Sequence, residues 1–152
     1  MGLNIADLRI SSPAFGSREP IPDRFTKDHD NRQPALHIHG VPAGSRELAI
    51  VCHDPDAPMP FGFTHWTLYG IPPDTTEIPE NGASFRAGPN DYGETGYGGP
   101  QPPPGHGAHT YYFWVYALDT TVEGEPDRET FLHRYGGHIL EQARLVGLYE
   151  NS

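Results

Sequence analysis

Cysteine is nearly absent. Cys52 is the single one in 152 residues, so no intrachain disulfide can form. Its setting in "LAIVC" reads as a buried, unreactive apolar thiol, compatible with a cytoplasmic protein. Cationic residues are scarce too: 10 Lys and Arg stand against 20 Asp and Glu, a formal charge of −10 with the nine His neutral. They occur singly, which excludes nucleic acid or an anionic membrane surface as a partner held by bulk positive charge. No apolar run approaches the roughly 18 residues of a spanning helix, and "MGLNIADLRI" lacks a basic segment followed by an apolar one. Gly2 resembles an acylation start, but Ala6 stands where Ser or Thr is needed. There is no G-x-S-x-G, and Cys52 falls within a strand-like run, so a Ser or Cys nucleophile is not expected.

Glycine and proline, by contrast, are abundant: 18 and 17 residues, lying between apolar runs. That pattern predicts many short strands joined by shaped loops, in a single domain over residues 1–152. "ALHIH" alternates, with Leu36 and Ile38 on one face and His37 and His39 on the other. "ELAIVCHD" is continuous, as in a central strand covered on both faces. Period two in "FTHWTLYGI" assigns Phe63, His65, Thr67 and Tyr69 to one face and Thr64, Trp66 and Leu68 to the other. In "HTYYFWVYAL", His109, Tyr111, Phe113 and Val115 share a face. Toward the C-terminus, Pro126 suits a first helical turn, Ile139, Ala143 and Val146 recur at helical spacing, and Gly136 with Gly137 interrupts them. The expectation is a mainly antiparallel β domain with two short C-terminal helices packed on it.

Chemistry-bearing residues gather at strand ends. In "HDPDAP", Pro55 and Pro58 force the chain out of the buried strand beside Asp54 and Asp56. An Asx-type turn accounts for two such Asp, but His65 re-enters a strand only eleven residues on, where a carboxylate and an imidazole can meet. Nine of the twelve residues from Gly96 to Gly107 are Gly or Pro, and this stiffened loop delivers His109 and Tyr111 to the mouth of the next strand. Together these residues compose a candidate pocket. The competing reading is a metal site from His106, His109 and His65, but spacing within a Gly-rich loop does not by itself fix both rings on one side. No metal and no cofactor is expected.

The segments "SPAF", "IPDRFT", "DPDAP", "THW", "GYGGPQPPPGHGAHTYYFWVYAL" and "GGHILEQARLVGLYE", in this order, resemble the bacterial and archaeal branch of the phosphatidylethanolamine-binding protein family, also called Raf kinase inhibitor-like proteins. The resemblance implies a large antiparallel sheet, a smaller second sheet and peripheral helices. It also implies a small anion-binding pocket made here by Asp54, Asp56, His65, Pro103, His109 and Tyr111. Three positions depart from the family pattern: Thr110 where relatives carry Arg, Gln101 where Gly or Cys is common, and Lys27 where bacterial members often have Cys.

The expected function is that of a binding protein for a phosphate-like or carboxylate ligand. The resemblance adds a regulatory or inhibitory role toward a protein partner such as a kinase or protease, and a possible homodimer. The alternative is a cofactor-independent acid/base enzyme using Asp54, His65 and His109 on a small metabolite. With two Asp and no Arg or Lys among the proposed contacts, an anion is welcomed only if at least one His, its pKa raised by a neighbouring carboxylate, is protonated or if the donors are mostly neutral.

Overall fold

A computed structural model describes residues 6–151; the acylation question at Gly2 lies outside them. In chain order the strands are β1 (Arg9–Ser11), β2 (Glu19–Pro20), β3 (Leu36–His39), β4 (Glu47–Asp54), β5 (Phe63–Ile71), β6 (Glu77–Ile78), β7 (Arg86–Ala87), β8 (His109–Leu118) and β9 (Ile139–Tyr149), with one α-helix, α1 (Arg128–Tyr135), before β9. They form a six-stranded sheet in the order β2-β9-β8-β4-β5-β7 and a three-stranded sheet in the order β1-β3-β6. All pairings between these strands are antiparallel except the short β2–β9 contact. Leu36, Ile38 and Ile78 of the small sheet pack against Ile50, Cys52, Phe113, Val115 and Leu145 of the large one. On the outer face of the large sheet, Ala49, Val51, Tyr69 and Tyr116 are covered by Phe131 of α1 and by Val122. β4 is therefore buried along its whole length, as its unbroken apolar run predicts.

Two local expectations are corrected. The second C-terminal helix is absent: Ile139–Tyr149 is a strand that pairs with β8 from His109↔Tyr149 to Leu118↔Ile139. β8 is mostly buried, so its free edge would otherwise leave a row of unpaired backbone groups, and that non-local demand outweighs the helical spacing. Ala143 and Leu145, two residues apart, both meet the core between the sheets. The remaining helix starts at Arg128, two residues after Pro126, because Asp127 caps it by accepting the Thr130 N–H at 2.8 Å.

The second correction concerns β5. Pairing runs Cys52↔Trp66 and then His53↔Thr64, so His65 is an extra residue in a β-bulge. Strict alternation fails there. Trp66 and Leu68 join Cys52 and Tyr111 in the core between the sheets, while Tyr69 belongs to the opposite cluster. His65 nonetheless stays beside Tyr111, with ring centroids 5.2 Å apart.

Candidate ligand-binding site

β4 runs antiparallel to both β5 and β8, so its C-terminal end meets the N-terminal ends of both neighbours. This topology gathers Asp54, His65, His109 and Tyr111 at one end of the large sheet. The Pro-rich exit after Asp54 forms one rim, and the Gly/Pro loop closes the other with Gln101, Pro102 and Pro103. Between them lies a cavity of about 210 Å³, also lined by Met59, Phe63 and Tyr92.

Polar contacts define the chemistry. Asp54 and His109 are almost fully buried, and the His109 Nδ1–H donates to Asp54 Oδ2 at 2.7 Å. The other carboxylate oxygen of Asp54 accepts the Asp56 N–H at 2.7 Å, which is the Asx turn at the strand exit. Burial raises the Asp54 pKa from its ordinary value, against the opposing pull of the His109 bond. His65, exposed by 3%, has Nδ1 against the Gly98 carbonyl at 2.8 Å. A carbonyl only accepts, so Nδ1 carries the hydrogen and neutral His65 has its lone pair at Nε2. Burial lowers the His65 pKa to about 4, so this ring is uncharged near neutral pH. At His65, loss of hydration outweighs the opposing backbone hydrogen bonds at Gly98 and Gly99, so of the two expected sources of attraction this ring supplies a neutral one.

The tyrosines divide the remaining work. Tyr92 donates its hydroxyl to the Gly99 carbonyl at 2.7 Å and serves as a wall. The Tyr111 hydroxyl makes no such bond among the described residues, and burial pushes its pKa well up, so it stays protonated. Among the described residues no Arg or Lys lines the cavity. Lys27 is the nearby cation, held behind the wall with Nζ 4.5 Å from the Tyr92 ring centroid and 2.5 Å from Glu94 Oε1.

Five of the six expected site residues, Asp54, His65, Pro103, His109 and Tyr111, line this cavity. Asp56 does not. Its side chain lies outside and accepts the Thr110 N–H at 2.8 Å, tying the strand exit to β8. Gln101 is on the rim, but its amide nitrogen donates to Asp28 Oδ1 at 2.6 Å. Phe63, Tyr92 and Met59 were not foreseen; Phe63 precedes "THW" by one residue, whereas nothing in "PNDYG" distinguishes Tyr92 from an ordinary turn residue. Among the described residues, no group of three or more His, Cys, Asp and Glu is placed to hold a metal ion.

A two-sheet β fold with a buried carboxylate, two imidazoles and a phenol around a small cavity defines a candidate small-ligand site. The chain belongs to the phosphatidylethanolamine-binding protein family, whose sequence model matches residues 11–150. A UPF0098 protein of Methanothermobacter thermautotrophicus is 42% identical over 151 residues, covering 93% of this chain and 98% of that protein. Another, from Chlamydia muridarum, is 33% identical over 150 residues, covering 94% and 99%. A crystal structure described as a phosphatidylethanolamine-binding protein homologue from Chlamydia trachomatis superposes with a TM-score of 0.89 at 31% identity, covering 98% of this chain and 99% of that one. YbcL of E. coli gives a TM-score of 0.89 at 27% identity, covering 97% and 100%. Among the described residues no helix is long and apolar enough to cross a membrane.

Proposed function

We propose that this protein binds a small phosphate- or carboxylate-class ligand in the cavity between the "DPDAP" exit and the Gly/Pro loop, and accepts it as a partly protonated acid. The observation that carries this reading is the pairing of uncharged His65 with the Asp54 carboxylate around one cavity that, among the described residues, no Arg or Lys lines. Both groups are acceptors, and the side-chain donors left are the Tyr111 hydroxyl and, at the rim, the second amide hydrogen of Gln101. A fully ionised dianion would leave the two acceptors unpaired and face a like charge. A monoprotonated phosphate brings the missing donor with it.

Affinity for a phosphate monoester, whose second pKa is about 6, should therefore rise as pH falls from about 8 to about 6, following the ligand's own protonation. Sulfate has the same shape but stays dianionic, and should bind at least about 10-fold more weakly because the acceptors go unmet. Calorimetric titration with both ligands tests this. Equal affinity for sulfate and phosphate, or cation binding in preference to either, refutes it.

The Asp54–His109 pair at 2.7 Å also suits an acid/base enzyme acting on a small metabolite. An Asp54→Asn variant separates the two readings: retained ligand affinity with lost turnover of a metabolite would favour catalysis.

A further inference from the structure

Both ring nitrogens of His109 are engaged. Nδ1 donates to Asp54, and Nε2 lies 2.8 Å from Nδ1 of His106. His106 is exposed and is not among the cavity-lining residues, so the ligand pocket by itself gives no reason for this contact. The loop is nevertheless shaped to make it. Gly105 and Gly107 flank His106 with φ of +76° and +84°, a backbone region that disfavours side chains, although a Cβ at either would meet nothing within 4 Å. The His106 N–H donates to the Pro103 carbonyl at 3.1 Å, and the Gly105 N–H donates to the Asn151 carbonyl at 3.2 Å.

The chemistry of the contact differs from that at His65. The Gly98 carbonyl permits only one hydrogen-bond polarity, whereas an imidazole can answer either one. When His109 is neutral, its Nε2 lone pair accepts from the His106 Nδ1–H. When His109 is an imidazolium, its Nε2–H donates to the His106 lone pair. His106 can therefore hold the ring in place in both states.

Resting on the ligand-binding reading above, we infer that His106 is a positioning residue of this site. It clamps His109 through Nε2, keeps His109 Nδ1 on Asp54, and so orients the carboxylate that faces the ligand. It touches no ligand itself.

The test uses the full chain as wild type, His106→Ala and His106→Asn, the last because its carboxamide can donate or accept from nearly the same place. Nitrogen-15 imidazole spectra of the unliganded proteins report the bonding of His109, and calorimetry with inorganic phosphate at one pH reports affinity. His106→Ala should shift the His109 Nε2 resonance and weaken phosphate binding about 5-fold, the worth of one ordinary hydrogen bond, while His106→Asn restores most of both. Unchanged His109 resonances in His106→Ala overturn the inference. So does tighter phosphate binding, which would make His106 a competitor for His109, and so does an Asn variant as impaired as Ala. If wild type fails to bind phosphate, the functional reading falls, while the spectra still decide whether His106 holds His109.

Discussion

Lowering the pH from about 7 to about 5 should cost this fold about 4 kcal/mol, because two buried histidines resist protonation. His53 and His65 are exposed by 6% and 3%, and burial lowers the pKa of each from 6.5 to about 4. The positive charge of Arg128 adds to the effect at His53, whose Nδ1 lies 3.1 Å from Thr64 Oγ1. Since both rings titrate lower in the folded chain, the unfolded chain takes up protons first. The advantage of the folded state is complete above about pH 6.5 and drains away as the pH falls toward 4. Each ring contributes about 2 kcal/mol of loss between about pH 7 and pH 5. Asp54 works the other way, since its raised pKa favours the folded state on protonation and trims the slope at the acid end. The lowered carboxyls of Glu80 and Asp127 act only below the window, where ordinary carboxylates titrate. Urea unfolding followed by tryptophan fluorescence at stepped pH measures the slope. His53→Gln, which leaves the cavity lining intact, should halve the loss to about 2 kcal/mol. A wild-type loss under about 1 kcal/mol, or a His53→Gln loss equal to that of wild type, refutes the reasoning.

Other predictions concern the loop, the thiol and metal. Gly99→Ala would place a Cβ 2.0 Å from the Phe25 carbonyl oxygen, which is backbone and cannot swing away, so it should lower stability by about 1–3 kcal/mol and weaken phosphate binding together. A thermal melt and a titration that both match wild type would contradict this. Cys52 is fully buried and its pKa is raised well above the usual value by burial, so a thiol reagent should label it only in denaturant; rapid labelling of the native protein would contradict that burial. Elemental analysis of purified protein should find well under one zinc per chain, since His106 and His109 spend facing nitrogens on each other. A stoichiometric metal lost in His109→Ala would overturn that expectation.

Much of this protein was legible in its sequence because its strongest signals are local. The boundaries of β4, β5 and β8 coincide with "ELAIVCHD", "FTHWTLYGI" and "HTYYFWVYAL", runs whose composition suits a buried pleated strand wherever it is placed. Pro55 and Pro58 dictate where the chain leaves the sheet, so Asp54 had to stand at a strand end, and the Gly/Pro loop likewise placed His109 at the start of the next strand. What tertiary structure alone decided depends on partners far along the chain. Ile139–Tyr149 became a strand because the edge of β8 needed pairing, a demand that its own periodicity does not record. The bulge at His65 came from the register against Cys52 and His53, and it left His65 beside Tyr111 of the core that Trp66 also joins, although alternation assigns the two residues to opposite faces. Asp56, two residues from Asp54, turned away to accept the Thr110 N–H across the sheet end. The charge of His65 was the least readable of all. Its residue type permits either state near neutral pH, and only burial against Phe63, Tyr92 and Tyr111, with Nδ1 against the Gly98 carbonyl, makes it a neutral acceptor.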